Sequence, residues 1–143
     1  MILVVAIDGQ ESANTALDYI LKANYSRDTA IHLVHVIVPG FADAPVEGIP
    51  DVVAEERKEE QTILQQMATT LKDKLGAAVT TDILSGETAD VIAEVCKQRD
   101  ADEVIVPSHA RHGFSRFWFG SVADEIADEA PCSALILKMA QNK

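Results

Sequence analysis

A stretch of the chain between residues 104 and 119 concentrates side chains that bind anions. It contains two arginines and two histidines, Arg111, Arg116, His109 and His112, and it contains no aspartate or glutamate. The whole chain, in contrast, carries a formal net charge of −11. A basic segment in an acidic protein predicts a local anion site. Chance clustering of these four side chains is the alternative.

The acidic balance also restricts the general partners of the chain. With 23 acidic residues against 12 basic ones, we expect neither nucleic acid nor an anionic membrane surface as a partner. The apolar segment at residues 2–7 is too short for a membrane span and lacks the basic start of a signal peptide. Cys96 and Cys132 lie far apart in the sequence, which predicts two free thiols. We therefore expect one cytoplasmic domain over residues 1–143.

Apolar, β-branched runs alternate with helical patterns along the chain, which predicts an α/β fold. Such alternation is typical of a parallel sheet covered by helices on both faces, a three-layer α/β/α sandwich. Right-handed crossovers make the five-stranded order 3-2-1-4-5 the most economical arrangement. The predicted strands cover residues 2–7, 31–38, 79–84, 103–107 and 133–137, and the predicted helices cover 11–23, 51–75, 87–99 and a segment from 120.

In a sheet of this order, ligands bind outside the carboxyl ends of strands 1 and 4, where the strand order reverses. Those ends are Asp8-Gly9 and the residues after Pro107. Gly120-Ser121 begins the last helix, and its unpaired N–H groups predict a phosphate site. A simple helix cap at Ser121 is the alternative. The long loop at residues 39–50 is expected to be a lid or a mobile connection.

Metal binding and catalysis find little support in the residue spacing. His32 and His35 are three apart on a predicted strand, so they face opposite sides of the sheet. His109 and His112 have no acidic or cysteine neighbour close in sequence, and we therefore predict no metal site. The charged run at residues 55–60 is interpreted as the solvated face of its helix. No nucleophile–base pair is placed by the sequence, and we assign no catalytic residue.

Three sequence features together resemble the universal stress protein family. They are Asp8-Gly9 after the first strand, the run LVHV at residues 33–36, and the segment SHARHGFSRFWFGSVADEIADEAPCSALIL at residues 108–137. The resemblance covers essentially the whole chain. It implies a Rossmann-like fold of the adenine nucleotide alpha hydrolase-like kind, a homodimer, and a role in stress tolerance.

ATP-binding members of that family carry the motif G-x2-G-x9-G-(S/T) between the fourth strand and the last helix. On this chain the motif falls on Pro107, Ala110, Gly120 and Ser121, so the second half matches and the first two glycines are replaced. Proline has no N–H to donate. Alanine adds a Cβ where the backbone needs to approach phosphate closely or to adopt a positive φ. The motif is half retained, and we expect weak or lost nucleotide binding.

The resemblance also assigns individual binding positions. Asp8 corresponds to an acidic residue near adenine or ribose, and Val36 to a residue whose backbone reads adenine. A helix cap at Asp8, a plain core position at Val36 and a solvated loop arginine at Arg111 are the alternatives. The candidate cofactor is ATP or AMP with Mg²⁺. The full candidate site comprises Asp8, Val36, Ala110, Arg111, His112, Gly120, Ser121 and Val122.

Two further features predict contacts with proteins. Phe114, Phe117, Trp118 and Phe119 form an aromatic cluster, which is either a partner surface or packing against the last helix. The last strand, Ser133–Leu137, is an apolar sheet edge that needs covering, and pairing with its twin predicts a homodimer.

Two hypotheses of function follow from these patterns. The first is a non-enzymatic, homodimeric stress-response module that acts through binding, with a weak or absent nucleotide site. The second is an ATP- or AMP-binding protein, acting as a nucleotide sensor or a slow ATPase. The replacements at Pro107 and Ala110 favour the first.

Overall fold

The strands form a parallel sheet because a helix connects each strand to the next and returns the chain to the same edge. The computed structural model describes residues 1–39, 52–108 and 120–139. The sheet order is β3-β2-β1-β4-β5, and every pairing is parallel, which confirms the predicted class and order. The elements are β1 (Ile2–Ala6), α1 (Gly9–Ala23), β2 (Ala30–Ile37), α2 (Val52–Leu75), β3 (Ala78–Ser85), α3 (Thr88–Arg99), β4 (Glu103–Ser108), α4 (Gly120–Glu129) and β5 (Ser133–Lys138).

Two apolar cores cover the two faces of the sheet. Side chains alternate between the faces along a strand, so β1 sends Leu3 and Val5 to one core and Val4 and Ala6 to the other. Helices α1 and α2 cover the first core, and α3 and α4 cover the second. Each fully buried Leu or Ile contributes about 1.5–3 kcal/mol to folding. The largest buried apolar side chains are Leu3, Ile7, Ile20, Ile31, Leu33, Leu64, Leu71, Ile92, Ile105 and Ile126.

Residues in the left-handed conformation end the first three helices and turn the chain toward the next strand. Asn24 follows α1 with φ 58° and Asp100 follows α3 with φ 57°. Gly76 follows α2 with φ 67°, a conformation that glycine adopts without steric cost. These ends confirm that Gly76 closes the second helix. No helix within the described ranges is both long enough and apolar enough to cross a membrane.

The two cysteines, separated in sequence, are neighbours in the fold. Cys96 lies buried on α3, and the side chain of Cys132, which precedes β5, packs against the same core. Burial raises the pKa of Cys96 to about 12 and raises that of Cys132 as well. Both are free thiols, and a protonated thiol is a poor nucleophile.

His32 is a buried polar residue on the α3 and α4 side of β2. Its Nδ1 and the Thr80 hydroxyl on β3 form a hydrogen bond of 2.6 Å, while its Nε2 has no hydrogen-bond partner among the described residues. Burial lowers the pKa of His32 to about 4, and the positive charge of Arg99 lowers it further. The imidazole is therefore neutral at pH 7.

The lowered pKa of His32 predicts a pH-dependent contribution to stability. The unfolded chain binds a proton at His32 near pH 6.5 and the folded chain only near pH 4. The contribution is therefore fully present above pH 6.5 and is lost as pH falls toward 4. Relative to a His32→Leu variant, the wild type should lose about 3 kcal/mol across this window. Urea unfolding of both proteins from pH 4 to 7 measures it, and a pH-independent difference would contradict the assignment.

Candidate functional site

The carboxyl ends of three neighbouring strands meet at one edge of the sheet. The register pairs Ala6 with Val34 on β2 and Val5 with Ile105 on β4. When this register is continued, Asp8 comes level with Val36 on one side and with Ser108 on the other. The fold thus brings the β1 and β4 ends together at the point where the strand order reverses.

Asp8 occupies the N-cap position of α1 without capping the helix through its side chain. It has φ −139°, and its carboxylate makes no capping hydrogen bond. Instead, the backbone N–H of Asp8 donates to the Ser12 hydroxyl at 2.8 Å. Gly9 follows with φ 89°, which residues with a Cβ rarely adopt. The capping alternative for the Asp8 side chain is therefore wrong.

His35 lies fully buried between β2 and α2, and hydrogen bonds hold its ring. Its Nδ1 lies 2.8 Å from the carbonyl oxygen of Ile7, and its Nε2 lies 2.8 Å from Glu56 Oε2. Because a carbonyl oxygen only accepts, Nδ1 carries the proton and donates it to Ile7. Nε2 forms the second hydrogen bond of the ring, with the Glu56 carboxyl group. The ring orientation is thus set from both sides.

Glu60 adds a buried carboxyl group beside this histidine. Its Oε2 lies 3.7 Å from His35 Nδ1 and has no hydrogen-bond partner within the described parts of the chain. Burial raises the pKa of Glu60 to about 7, although the charge of His35 and the Gly9 N–H act in the opposite direction. One ligand atom each from Asp8, His35 and Glu60 lies within 4.8 Å of the other two.

The interpretation of residues 55–60 as a solvated face is wrong for two of its residues. The side chains of Glu56 and Glu60 are only 14% and 8% exposed. They lie four residues apart and extend the apolar stripe that continues at Leu64, so all three face the sheet. The four-residue spacing was the signal in the sequence that could have revealed their burial. Charged residues on a helix are usually solvated, and the sequence does not show that a buried histidine on another element contacts these two.

The two histidines of β2 do lie on opposite faces, as the alternation of a strand requires. His35 shares its face with Leu33 in the α1 and α2 core, and His32 shares the other face with Val34. The neighbour on α2 that could bind a metal ion together with His35 is a carboxyl group rather than a second histidine. A search for ligands at short sequence spacing could not find this group.

Comparison with known proteins decides the family. The model of the universal stress protein family matches residues 1–138. The chain belongs to the universal stress protein family. A curated relative, universal stress protein MJ0531 of Methanocaldococcus jannaschii, is 25% identical over 137 residues, covering 95% of this chain and 81% of the relative.

Solved universal stress proteins share the fold at low sequence identity. One from Archaeoglobus fulgidus superposes with a TM-score of 0.72 and 22% identity, over 95% of this chain and 97% of the other. A structure of the universal stress protein from the same organism in complex with dAMP gives 0.68 and 21%, over 95% and 96%. At this identity the similarity establishes the fold.

The predicted nucleotide positions of this universal stress protein are only partly described. Val36 is fully buried in the α3 and α4 core, so its side chain is a core side chain, and a binding role for its backbone stays a prediction. Val122 packs partly against the same core, and α4 begins at Gly120 and includes Ser121, as predicted. The following positions lie outside the described residues: Ala110, Arg111, His112, the aromatic cluster and loop residues 40–50.

Loss of the polar contacts of the buried histidine should strongly reduce the free energy of unfolding. In a His35→Leu variant, the carboxyl groups of Glu56 and Glu60 lose an imidazole partner that lies 2.8 and 3.7 Å away. We expect destabilisation by about 3 kcal/mol, measured by urea unfolding at pH 7. A Lys22→Ala control breaks the exposed pair with Asp18 and should cost less than about 0.5 kcal/mol. Equal effects of the two substitutions would contradict the prediction.

Proposed function

We propose that this universal stress protein is a homodimeric, cytoplasmic stress-response module that acts by binding rather than by catalysis. In this proposal an adenine-nucleotide site at the carboxyl ends of β1 and β4 is retained in outline and weakened in affinity. The observation that carries the proposal is the position of Pro107 inside β4, next to the point where the strand order reverses.

Pro107 limits what the β4 backbone offers to a ligand. It lies in strand β4, in register with Leu137 of β5. It has no N–H, so this position donates nothing to a ribose or phosphate oxygen. The next residue is held by β5, since the backbone N–H of Met139 donates to the Ser108 carbonyl oxygen at 3.0 Å. Both features support a strand end that is committed to the sheet rather than to a nucleotide.

A nucleotide sensor or slow ATPase is the second candidate function. It is favoured by the start of α4 at Gly120, because a helix N-terminus is a ready anion site. The Archaeoglobus fulgidus protein of this family that is solved with dAMP also supports it. Affinity for nucleotide separates the two candidates, because both use the same edge of the sheet.

Calorimetric titration with ATP and AMP in the presence of Mg²⁺ tests the weakened site. We expect the dissociation constant of the wild type to exceed about 10 μM, weaker than about −7 kcal/mol. A Pro107→Gly/Ala110→Gly variant restores an N–H and removes a Cβ, and it should bind at least about tenfold more tightly.

The control for this titration is Pro131→Gly, which changes an exposed proline before β5 at the opposite end of the sheet. Its affinity should equal that of the wild type. A wild-type dissociation constant below about 10 μM would favour the nucleotide sensor instead. Unchanged affinity of the double glycine variant would contradict the proposal that Pro107 and Ala110 weaken nucleotide binding.

The exposed edge of β5 supports the homodimer. Its four central residues, Ala134 to Leu137, are all apolar and all only partly buried within one chain. A groove of about 550 Å³ lies beside this strand, lined by α1 residues such as Tyr19 and by Leu137. An apolar strand edge of this kind is stabilised by pairing with another strand.

A lysine on the β5 edge should break the proposed dimer. We expect the wild type to sediment as a dimer and a Leu137→Lys variant to sediment as a monomer at the same concentration, because a charge on an edge strand opposes pairing. Thr81→Lys is the matched control on the other edge strand, where Thr81 is already exposed, and it should remain dimeric. Circular dichroism verifies that both variants fold. A monomeric wild type at high concentration would refute the dimer.

A further inference from the structure

We propose that Asp8, His35 and Glu60 form a binding site for a divalent transition-metal ion, between the end of β1 and helix α2. This site goes beyond the proposed nucleotide function, since its ligands come from the α1 and α2 side of the sheet and need no bound nucleotide. Its residues come from three elements that the fold brings together: the β1–α1 turn, β2 and α2.

The distances suit a single ion. A Zn²⁺ ion with ligands at about 2.0–2.2 Å in tetrahedral geometry holds its donor atoms about 3.4 Å apart. Glu60 Oε2 and His35 Nδ1 are already separated by 3.7 Å. The third donor, from Asp8, lies within 4.8 Å of both. A rotation of the Asp8 side chain, at a partly exposed position, brings its carboxylate oxygen closer and completes the set.

The hydrogen bond between His35 and Ile7 gives way when the ion binds. Nδ1–H donates to the Ile7 carbonyl oxygen at 2.8 Å, closer than the distance of about 3.4 Å that separates tetrahedral ligands, so these two atoms do not hold one Zn²⁺ ion together. Three side chains therefore supply the protein ligands, and a fourth position is left for water, as in zinc sites with three protein ligands.

The other nitrogen of His35 is oriented as in known metal sites. A metal-binding histidine typically donates its second ring N–H to a carboxylate or a carbonyl group, which fixes the ring and increases the basicity of the ligand nitrogen. When Nδ1 holds the ion, Nε2–H donates to Glu56 Oε2, which lies 2.8 Å away. Glu56 is thus a positioning residue for the metal ligand.

Glu60 supplies an observation that is independent of the clustering. The residue is 6% exposed, and its Oε2 lacks a hydrogen-bond partner among the residues that the structure describes. A buried carboxylate oxygen without a partner is costly, and it is directed toward His35. An ion at this position satisfies that oxygen.

The mixed donor set selects the class of ion. Imidazole favours Zn²⁺ and other first-row transition metals, whereas Mg²⁺ prefers six oxygen ligands and retains several waters. A group of one imidazole nitrogen and two carboxylate oxygens therefore favours Zn²⁺, then Mn²⁺, over Mg²⁺. Binding changes no oxidation state. The ion replaces the proton on Nδ1, and that proton passes to the solvent, so about one proton leaves for each ion bound.

The test is calorimetric titration of the full chain, stripped of metal by a chelator and free of nucleotide, with Zn²⁺, Mn²⁺ and Mg²⁺ at pH 7.5. We expect one Zn²⁺ per chain, weaker Mn²⁺ binding and the weakest binding for Mg²⁺. The heat should vary with the ionisation enthalpy of the buffer, as the release of about one proton requires. Absence of Zn²⁺ binding, or tighter binding of Mg²⁺ than of Zn²⁺, would overturn the proposal.

Four substitutions locate the ion. Glu60→Gln and Asp8→Asn each remove a ligand charge and should weaken Zn²⁺ affinity by more than about tenfold. Glu56→Gln should weaken it by about tenfold, because the imidazole ring of His35 loses the group that orients it. Glu59→Gln, at an exposed neighbour on α2, is the matched control and should bind as the wild type does. Wild-type affinity in Glu60→Gln, or an equal loss in Glu59→Gln, would overturn the site. If Glu60→Gln does not fold, the more exposed Asp8→Asn decides in the same way.

Discussion

The hydrogen bond from His35 Nδ1 to the Ile7 carbonyl oxygen joins β2 to the residue at which β1 leaves the sheet, at 2.8 Å. This contact determines which way the imidazole faces, because a carbonyl oxygen accepts only. The opposite nitrogen then faces Glu56 on α2, and the ring edge faces Glu60. His35 thus links β2, the end of β1 and helix α2 through buried polar contacts.

The two histidines of β2 show how one strand supports two different environments. His32 is buried against the α3 and α4 core and is held neutral, since burial makes its charged form costly. His35 is buried equally deeply, but it lies beside the carboxyl groups of Glu56 and Glu60. Burial is common to both histidines, and they differ in their neighbours, a hydroxyl group for His32 and carboxyl groups for His35.

The same edge of the sheet serves both proposed ligands from different faces. The nucleotide hypothesis uses the ends of β1 and β4 and the start of α4, on the side where Val36 packs. The proposed ion lies on the side covered by α1 and α2. Asp8 stands between the two, because it follows β1 at the centre of the sheet. A weakened nucleotide motif and an intact acidic group can therefore coexist in one universal stress protein.

The sequence by itself determined the fold class, the strand order and the family. Continuous apolar, β-branched runs and amphipathic helices are local signals, and right-handed crossovers leave few ways to connect them. It also predicted that Asp8 and the β4 end lie together at the edge where the strand order reverses, as the structure confirms. The replacement of two motif glycines by Pro107 and Ala110 was likewise visible without coordinates.

Only the tertiary structure decided the environment of each polar side chain. The contact between Cys96 and Cys132 and the burial of Glu56 and Glu60 against His35 join residues that are distant in the chain. A charged residue on a helix is normally solvated, and no local pattern reveals that a histidine on a strand lies opposite it. Desolvation and pairing are properties of the assembled core, and they determine which polar groups this chain keeps inside.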